Sequence, residues 1–179
     1  MTAGGKAPRR TGLVQVYTGD GKGKTTAALG LALRASGQGL RVGFIQFLKG
    51  YARCGEHRFV ERWPAFGIVQ PAARSVFRQG EEGLRAAAEE ALALAWVALA
   101  SGEYDLLILD EALTALNLKA LTLDEVLGLI GGKPASLELV LTGRGAPPEV
   151  IDAADLVTEM VPHKHPFDQG VKARRGIEY

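Results

Sequence analysis

The stretch that most restricts the fold is LVQVYTGDGKGKTTAALGLALRA, residues 13–35. Five residues rich in β-branched and aromatic side chains run into a turn with three glycines, and the turn runs into a helix-forming segment. A strand that enters a helix in this way belongs to a parallel sheet with crossover helices. The turn also has the chemistry of a phosphate cradle. Gly19, Gly21 and Gly23 permit backbone conformations and close approaches that side chains would block, so successive N–H groups can face phosphate oxygens. The helix that follows points its positive end at the same anion. Lys24 adds a cation, Thr25 offers a hydroxyl to Mg²⁺, and Lys22 is either a further charge or a solvated side chain. The usual phosphate-binding loop is G-x-x-x-x-G-K-[ST], and here Thr18 stands where its first glycine belongs.

From Leu13 onward, short β-rich runs alternate with longer helical ones, and no repeat or low-complexity linker interrupts them. The alternation predicts an α/β fold with a mostly parallel sheet, its strands at 13–17, 41–48, 66–70, 106–110, 137–142 and 156–161. Helices are expected at 24–37, 81–101, 112–119, 123–130 and 147–154, the fourth opened by the capping-box pair Thr122 and Glu125. The segment from Lys49 to Gln79, rich in Arg, Gly, Pro and aromatics, reads as irregular apart from its one strand. A chain of 179 residues suits one domain, so residues 13–179 are expected to form it behind a flexible leader, 1–12.

Two later segments belong with the loop. LLILDE is an apolar strand that ends in Asp110-Glu111, where such proteins keep the acid that holds the metal. LTGRG at 141–145 is another strand running into a glycine turn. Ligands of open α/β sheets bind beyond the carboxyl ends of the strands, so Arg144 projects toward the same anion unless it is a surface turn residue. Together these segments predict an ATP or GTP site without saying which bond breaks.

Composition removes several classes. A formal net charge of +1 gives no global attraction to nucleic acid or to an anionic membrane, so neither is expected as a partner. The one cysteine, Cys54, excludes an internal disulfide and suits a reducing cytoplasm. The start MTAGGKAPRR is polar and basic, unlike a signal peptide, and ALALAWVALA at 91–100 is bracketed by Glu89, Glu90 and Glu103 and too short to span a bilayer. It reads as a core helix.

The segments TGDGKGKTTAALGLALRASGQGLRVGFIQFLKG (18–50), LILDE (107–111), LTGRG (141–145) and KHPFDQGVKARRGIEY (164–179) resemble the P-loop ATP:corrinoid adenosyltransferases, in order and from about Leu13 to Tyr179. Members carry T-G-x-G-K-G-K-T-T, so Thr18 is the residue the resemblance leads one to expect. The resemblance implies a three-layer, RecA-like fold and ATP bound in reverse, with its triphosphate in the loop Gly19, Asp20, Gly21, Lys22, Gly23, Lys24, Thr25, Thr26. Cobalt reduced to Co(I) then attacks the 5′ carbon and tripolyphosphate leaves. Lys24 and Arg144 are the expected catalytic residues, and Thr25, Asp110 and Glu111 the expected holders of Mg²⁺ (or Mn²⁺). Co(I) has no proton to lose, so no protein base is required.

By the same resemblance the corrinoid lies over the irregular middle segment. An apolar side chain there, Phe77 first and Trp63 or Phe66 after it, displaces the lower axial ligand; the Phe-x-Trp pair of the family reads RSVFRQ at 74–79 here. A homodimer and a flavodoxin-like or reduced-flavin electron donor are also implied. The 17 residues before the loop leave little for the N-terminal lid that related chains fold over ATP, which shifts closure to a partner subunit or weakens it.

His163 and His165 alternate in an extended stretch but lack a third metal ligand nearby. Lys164, Asp168 and Lys172 either anchor the tail against the nucleotide or fix the chain end. Arg53, Arg58, Arg62, Arg74 and Arg78 read as a solvated basic loop. The rival functions are an ordinary P-loop phosphotransferase or ATPase, a RecA-like nucleic-acid-binding ATPase, and a nucleotide-binding scaffold without turnover.

Overall fold

A computed structural model describes residues 11–48, 54–71 and 80–179. Six strands, β1 (Val14–Thr18), β2 (Val42–Gln46), β3 (Gly67–Val69), β4 (Leu106–Asp110), β5 (Glu138–Thr142) and β6 (Leu156–Glu159), form one parallel sheet in the order β3-β2-β4-β5-β1-β6. Each of the six expected strands is present, within two residues at either end. The helices are α1 (Lys24–Gly37), α2 (Gly55–Arg62), α3 (Gly80–Ser101), α4 (Ala112–Asn117), α5 (Leu123–Gly131) and α6 (Pro148–Asp152).

The central strand β4 shows why the sheet has helices on both faces. All five of its residues are buried. Leu106 and Ile108 turn to one face, where they meet Phe44, Val140 and the alanine stripe Ala28, Ala32 and Ala35 of α1. Leu107 and Leu109 turn to the other face, where α3, α4 and α5 contribute Ala88, Ala91, Leu113 and Leu129. Burying each such leucine or isoleucine contributes about 1.5–3 kcal/mol, and neither face tolerates a polar residue. The alanines let α1 sit close over β2, β4 and β5, which fixes the loop at its head.

Helix α3 is the core helix that ALALAWVALA predicts, and no helix among the described residues is long and apolar enough to cross a membrane. The expected capping box opens α5. Thr122 N–H donates to Glu125 Oε2 at 2.7 Å, Glu125 N–H returns to Thr122 Oγ1 at 3.2 Å, and Arg85 of α3 donates to the same carboxylate at 2.7 and 2.9 Å.

One expectation is corrected. The segment 49–79 is irregular in the sequence reading apart from its strand, yet it contains the two-turn helix α2. That helix opens on Cys54, whose N–H donates to His57 Nδ1 at 3.2 Å, so the sequence offers no Ser, Thr, Asp or Asn cap to mark it. Of the expected leader 1–12, residues 1–10 lie outside the described residues. Gly12 is fastened, its N–H donating to Ala135 O at 2.8 Å and its carbonyl accepting from Lys133 Nζ at 2.8 Å.

Candidate functional site

The loop that links β1 to α1 stands at the carboxyl edge of the sheet beside β6. Gly19 has φ +91°, and a Cβ there would lie 2.5 Å from the carbonyl oxygen of Met160, so this position takes glycine alone. Gly21 N–H donates to that same carbonyl at 2.6 Å. One loop amide is therefore committed to the end of β6 rather than to the anion cradle, which narrows the expectation that the loop amides act together. Lys24 is almost fully buried, its Nζ donating to Gly19 O at 2.6 Å and Gly21 O at 2.8 Å. Burial, and after it the charge of Arg144, lowers the pKa of Lys24 from the ordinary lysine value.

Below the loop the acid expected from LLILDE is in place. Asp110 is completely buried. Its Oδ1 accepts from the Thr25 hydroxyl at 2.9 Å and the Thr142 hydroxyl at 2.7 Å, and its Oδ2 accepts from Gln46 Nε2 at 3.3 Å. A buried carboxylate with several donors is held in one orientation, and a fixed acid can orient the hydroxyl beside it. Glu111 follows at φ +63°, a left-handed conformation costing on the order of 1–3 kcal/mol for a residue other than glycine. It is held there by its N–H on Thr142 Oγ1 at 3.0 Å and by the Thr114 hydroxyl on its carboxylate.

Arg144 reaches the site as expected. It follows Gly143, whose φ is +139° and where a Cβ would meet Thr114 N at 2.4 Å. Its N–H donates to Thr114 Oγ1 at 3.2 Å, while its side chain is 60% exposed with Nε 3.8 Å from Asp20. Lys22, Lys24, Thr25, Thr26, Glu111 and Arg144 line a cavity of about 520 Å³, which Ile177 and Glu178 close from the C-terminal turn.

A second cavity of about 670 Å³ adjoins it, with Leu29, Leu33, Phe59 and Phe66 as its apolar wall and Thr25, Thr26 and Glu111 shared with the first. Phe66, one of the named candidate aromatics, lines this cavity and is stacked 6.4 Å from Phe44. Trp63 does not line this cavity; it packs on Phe59 at 5.3 Å and under the Arg62 guanidinium at 4.8 Å. Phe77 lies outside the described residues.

These features are those of a cation-lined cavity opening onto an apolar one, and comparison with known proteins gives the family. The family profile described as ATP:corrinoid adenosyltransferase BtuR/CobO/CobP matches residues 10–179. The chain belongs to the ATP:corrinoid adenosyltransferase family. It is 41% identical to the corrinoid adenosyltransferase of Pseudomonas aeruginosa, over 94% of this chain and 84% of that one. To the corrinoid adenosyltransferases of Escherichia coli K12 and Salmonella typhimurium it is 38% and 37% identical, in both cases over 97% of this chain and 89% of the other. The adenosyltransferase is thus an enzyme that moves the adenosyl group of ATP to a corrinoid in cobalamin synthesis.

Several residues of the adenosyltransferase site escape the sequence reading. Thr142 and Gln46 each end an otherwise apolar buried strand, and a polar residue at that position was the available signal. Ile177 and Glu178 come from the tail, where Lys164, Asp168 and Lys172 drew attention instead and line neither cavity, while His165, weighed only as a metal ligand, lines the first. Among the described residues, His163 and His165 belong to no group of three metal-ligating atoms. Among the described residues only Cys54, Glu56 and His57 bring three such atoms within 4.8 Å, a closeness that the first turn of α2 itself produces.

Proposed function

We propose that ATP lies with its triphosphate over Gly19–Thr26 and its 5′ carbon toward the apolar cavity, and that the corrinoid enters that cavity with its cobalt as Co(I). The electron pair of Co(I) forms the cobalt–carbon bond, the bond from C5′ to oxygen breaks, and tripolyphosphate leaves with the bonding pair of that C5′–oxygen bond. The observation that carries this reading is the pair of adjoining cavities with Thr25, Thr26 and Glu111 in common, one lined by cations and the other by aromatic and aliphatic side chains.

The nucleophile needs no deprotonation, so the chain is left with holding the reactants in line and stabilising the departing charge. Lys24 and Arg144 supply positive charge beside the loop, with Lys22 at its rim, where the Asp20 carboxylate lies 3.8 Å from Arg144. The donor set of Thr25, Asp110 and Glu111 consists of hard oxygens, and Gln46 Oε1, buried beside Asp110, has no hydrogen-bond partner among the described residues. Those residues fit Mg²⁺ or Mn²⁺, which when bound offsets charge on the polyphosphate. Phe59 and Phe66 would face the corrin; Phe77, the other candidate, lies outside the described residues. A cytoplasmic homodimer served by a flavodoxin-like protein or reduced flavin, without nucleic acid or membrane, completes the reading; family membership and the near-neutral charge support it.

Anaerobic mixing of the protein with ATP, Mg²⁺ and a chemically reduced corrinoid tests it. The visible spectrum should shift to that of an alkylated corrinoid at a rate that depends on protein. An unchanged cobalt spectrum while ATP is hydrolysed would leave an ordinary ATPase in its place.

A further inference from the structure

Every residue from 161 to 179 is exposed except His165, which is half-buried and lines the cavity of about 520 Å³ together with Lys22, Lys24 and Arg144. Local sequence explains how the ring is held. Pro166 restricts the residue before it to extended backbone, and His165 takes φ −132° and ψ 132°. The chain then turns through the single-turn 3-10 helix Pro166–Gln169, in which Asp168 N–H donates to His165 O at 3.1 Å.

The same turn assigns the ring its tautomer. Phe167 N–H donates to His165 Nδ1 at 3.2 Å. A nitrogen that accepts an N–H carries no proton of its own, so the N–H of the ring is at Nε2. Capping the turn uses Nδ1 alone. Among the described residues no group accepts from Nε2, and the two carboxylates that line the cavity take other donors, Glu111 the Thr114 hydroxyl and Glu178 the side chains of Arg174 and Lys22.

A donor of this kind suits an anion that cations have already gathered. Lys22, Lys24 and Arg144 attract a polyphosphate by charge, which has little direction. An uncharged N–H adds a directed bond to an ionised oxygen and brings no repulsion among the three cations.

Resting on the reading that the triphosphate of ATP occupies this cavity, we propose that His165 is a further binding residue for the polyphosphate, its Nε2–H donating to a phosphate oxygen while Nδ1 stays on the Phe167 amide. The ring thereby joins the C-terminal tail to the nucleotide. The polyphosphate is charged both before and after the bond from C5′ to oxygen breaks, so the contact holds ATP and the departing tripolyphosphate alike.

Two substitutions separate the ring nitrogens. In His165→Asn the side-chain oxygen stands in for Nδ1 and keeps the cap, while the amide stops short of Nε2. In His165→Gln the longer amide brings an N–H to the place of Nε2, and the cap is lost. Titration calorimetry of the full chain with inorganic tripolyphosphate and Mg²⁺ reads the difference. His165→Asn should weaken tripolyphosphate binding about tenfold and lower kcat/KM for ATP by the same factor with kcat little changed, whereas His165→Gln should bind within about twofold of the wild type. A residue that only caps the turn gives the reverse order. Circular dichroism would verify that each variant is folded. Wild-type affinity in His165→Asn, or binding by His165→Gln as weak as that by His165→Asn, overturns the contact alone. No tripolyphosphate binding by the wild type overturns the reading of the phosphate cavity, and the role of His165 with it.

Discussion

The two cavities that meet at Thr25, Thr26 and Glu111 are built in opposite ways. The phosphate cavity is made from residues that the sheet leaves no freedom: glycine at φ +91°, a lysine buried under the loop, an aspartate with no exposure and a glutamate in a left-handed conformation. The apolar cavity is made from a short helix, one face of α1 and a turn near the chain end, with Phe59 41% and Ile177 57% exposed. A polyphosphate has fixed charge positions and rewards preorganised partners. On the proposed reading the other cavity takes a corrin, a broad amphipathic disc whose affinity comes from area rather than from single atoms, and a looser wall would accommodate it.

Substitutions that strike one cavity should therefore leave the other alone, and the largest effect belongs to the rigid one. Lys24→Ala should lower the alkylation rate by about 10²–10³-fold, as loss of a preorganised charge does, with an unchanged far-ultraviolet spectrum. Substantial activity in that variant would remove Lys24 from the account. Thr142→Val takes a donor from Asp110 and an acceptor from Glu111 N–H, both buried or part-buried. It should cost about 1–3 kcal/mol in chemical denaturation and raise the Mg²⁺ concentration needed for half-maximal rate. Normal Mg²⁺ dependence would show that the Asp110 network is structural only.

On the apolar side, Phe59→Ala should raise KM for the corrinoid about tenfold and leave kcat/KM for ATP near its wild-type value, since the ring lines one cavity and not the other. Equal losses for both substrates would erase the distinction between the regions. The smallest effect is one of pH. Lys24 has its pKa lowered, first by burial and then by Arg144, so it loses its charge earlier than an ordinary lysine as pH rises. The alkaline limb of kcat/KM for ATP, which reports the free enzyme, should fall below pH 10.5. Arg144→Ala should move that limb upward while lowering the plateau. A limb that stays put would mean that Lys24 does not set it.

The same contrast governs what was legible in the sequence. The phosphate cavity rests on residues whose type is forced by backbone geometry or charge, so TGDGKGKTT, LILDE and LTGRG named most of it in order. Thr142 and Gln46 were missed because a polar residue closing an apolar strand looks like an ordinary strand end until Asp110 is placed beside it. The apolar cavity left weaker marks. Helix α2 has neither an apolar stripe nor a conventional cap, so GEHRFVER read as loop, and with it went the position of Phe59. The tail was recognised as a pattern. What makes it part of both cavities is the contact of Glu178 with Lys22, 156 residues away, and local sequence holds no sign of that pairing. Helix ends were also blurred. α4 stops at Asn117 where the reading ran to 119, because Lys119 takes φ +58° without a glycine to announce it.

The central claim is that carbon, not phosphorus, is attacked, and phosphorus NMR of the products tests it most directly. With reduced corrinoid and ATP in one reaction, the account predicts intact tripolyphosphate in equal amount to the new cobalt–carbon bond. ADP with inorganic phosphate, and no adenosyl group on the cobalt, would contradict it.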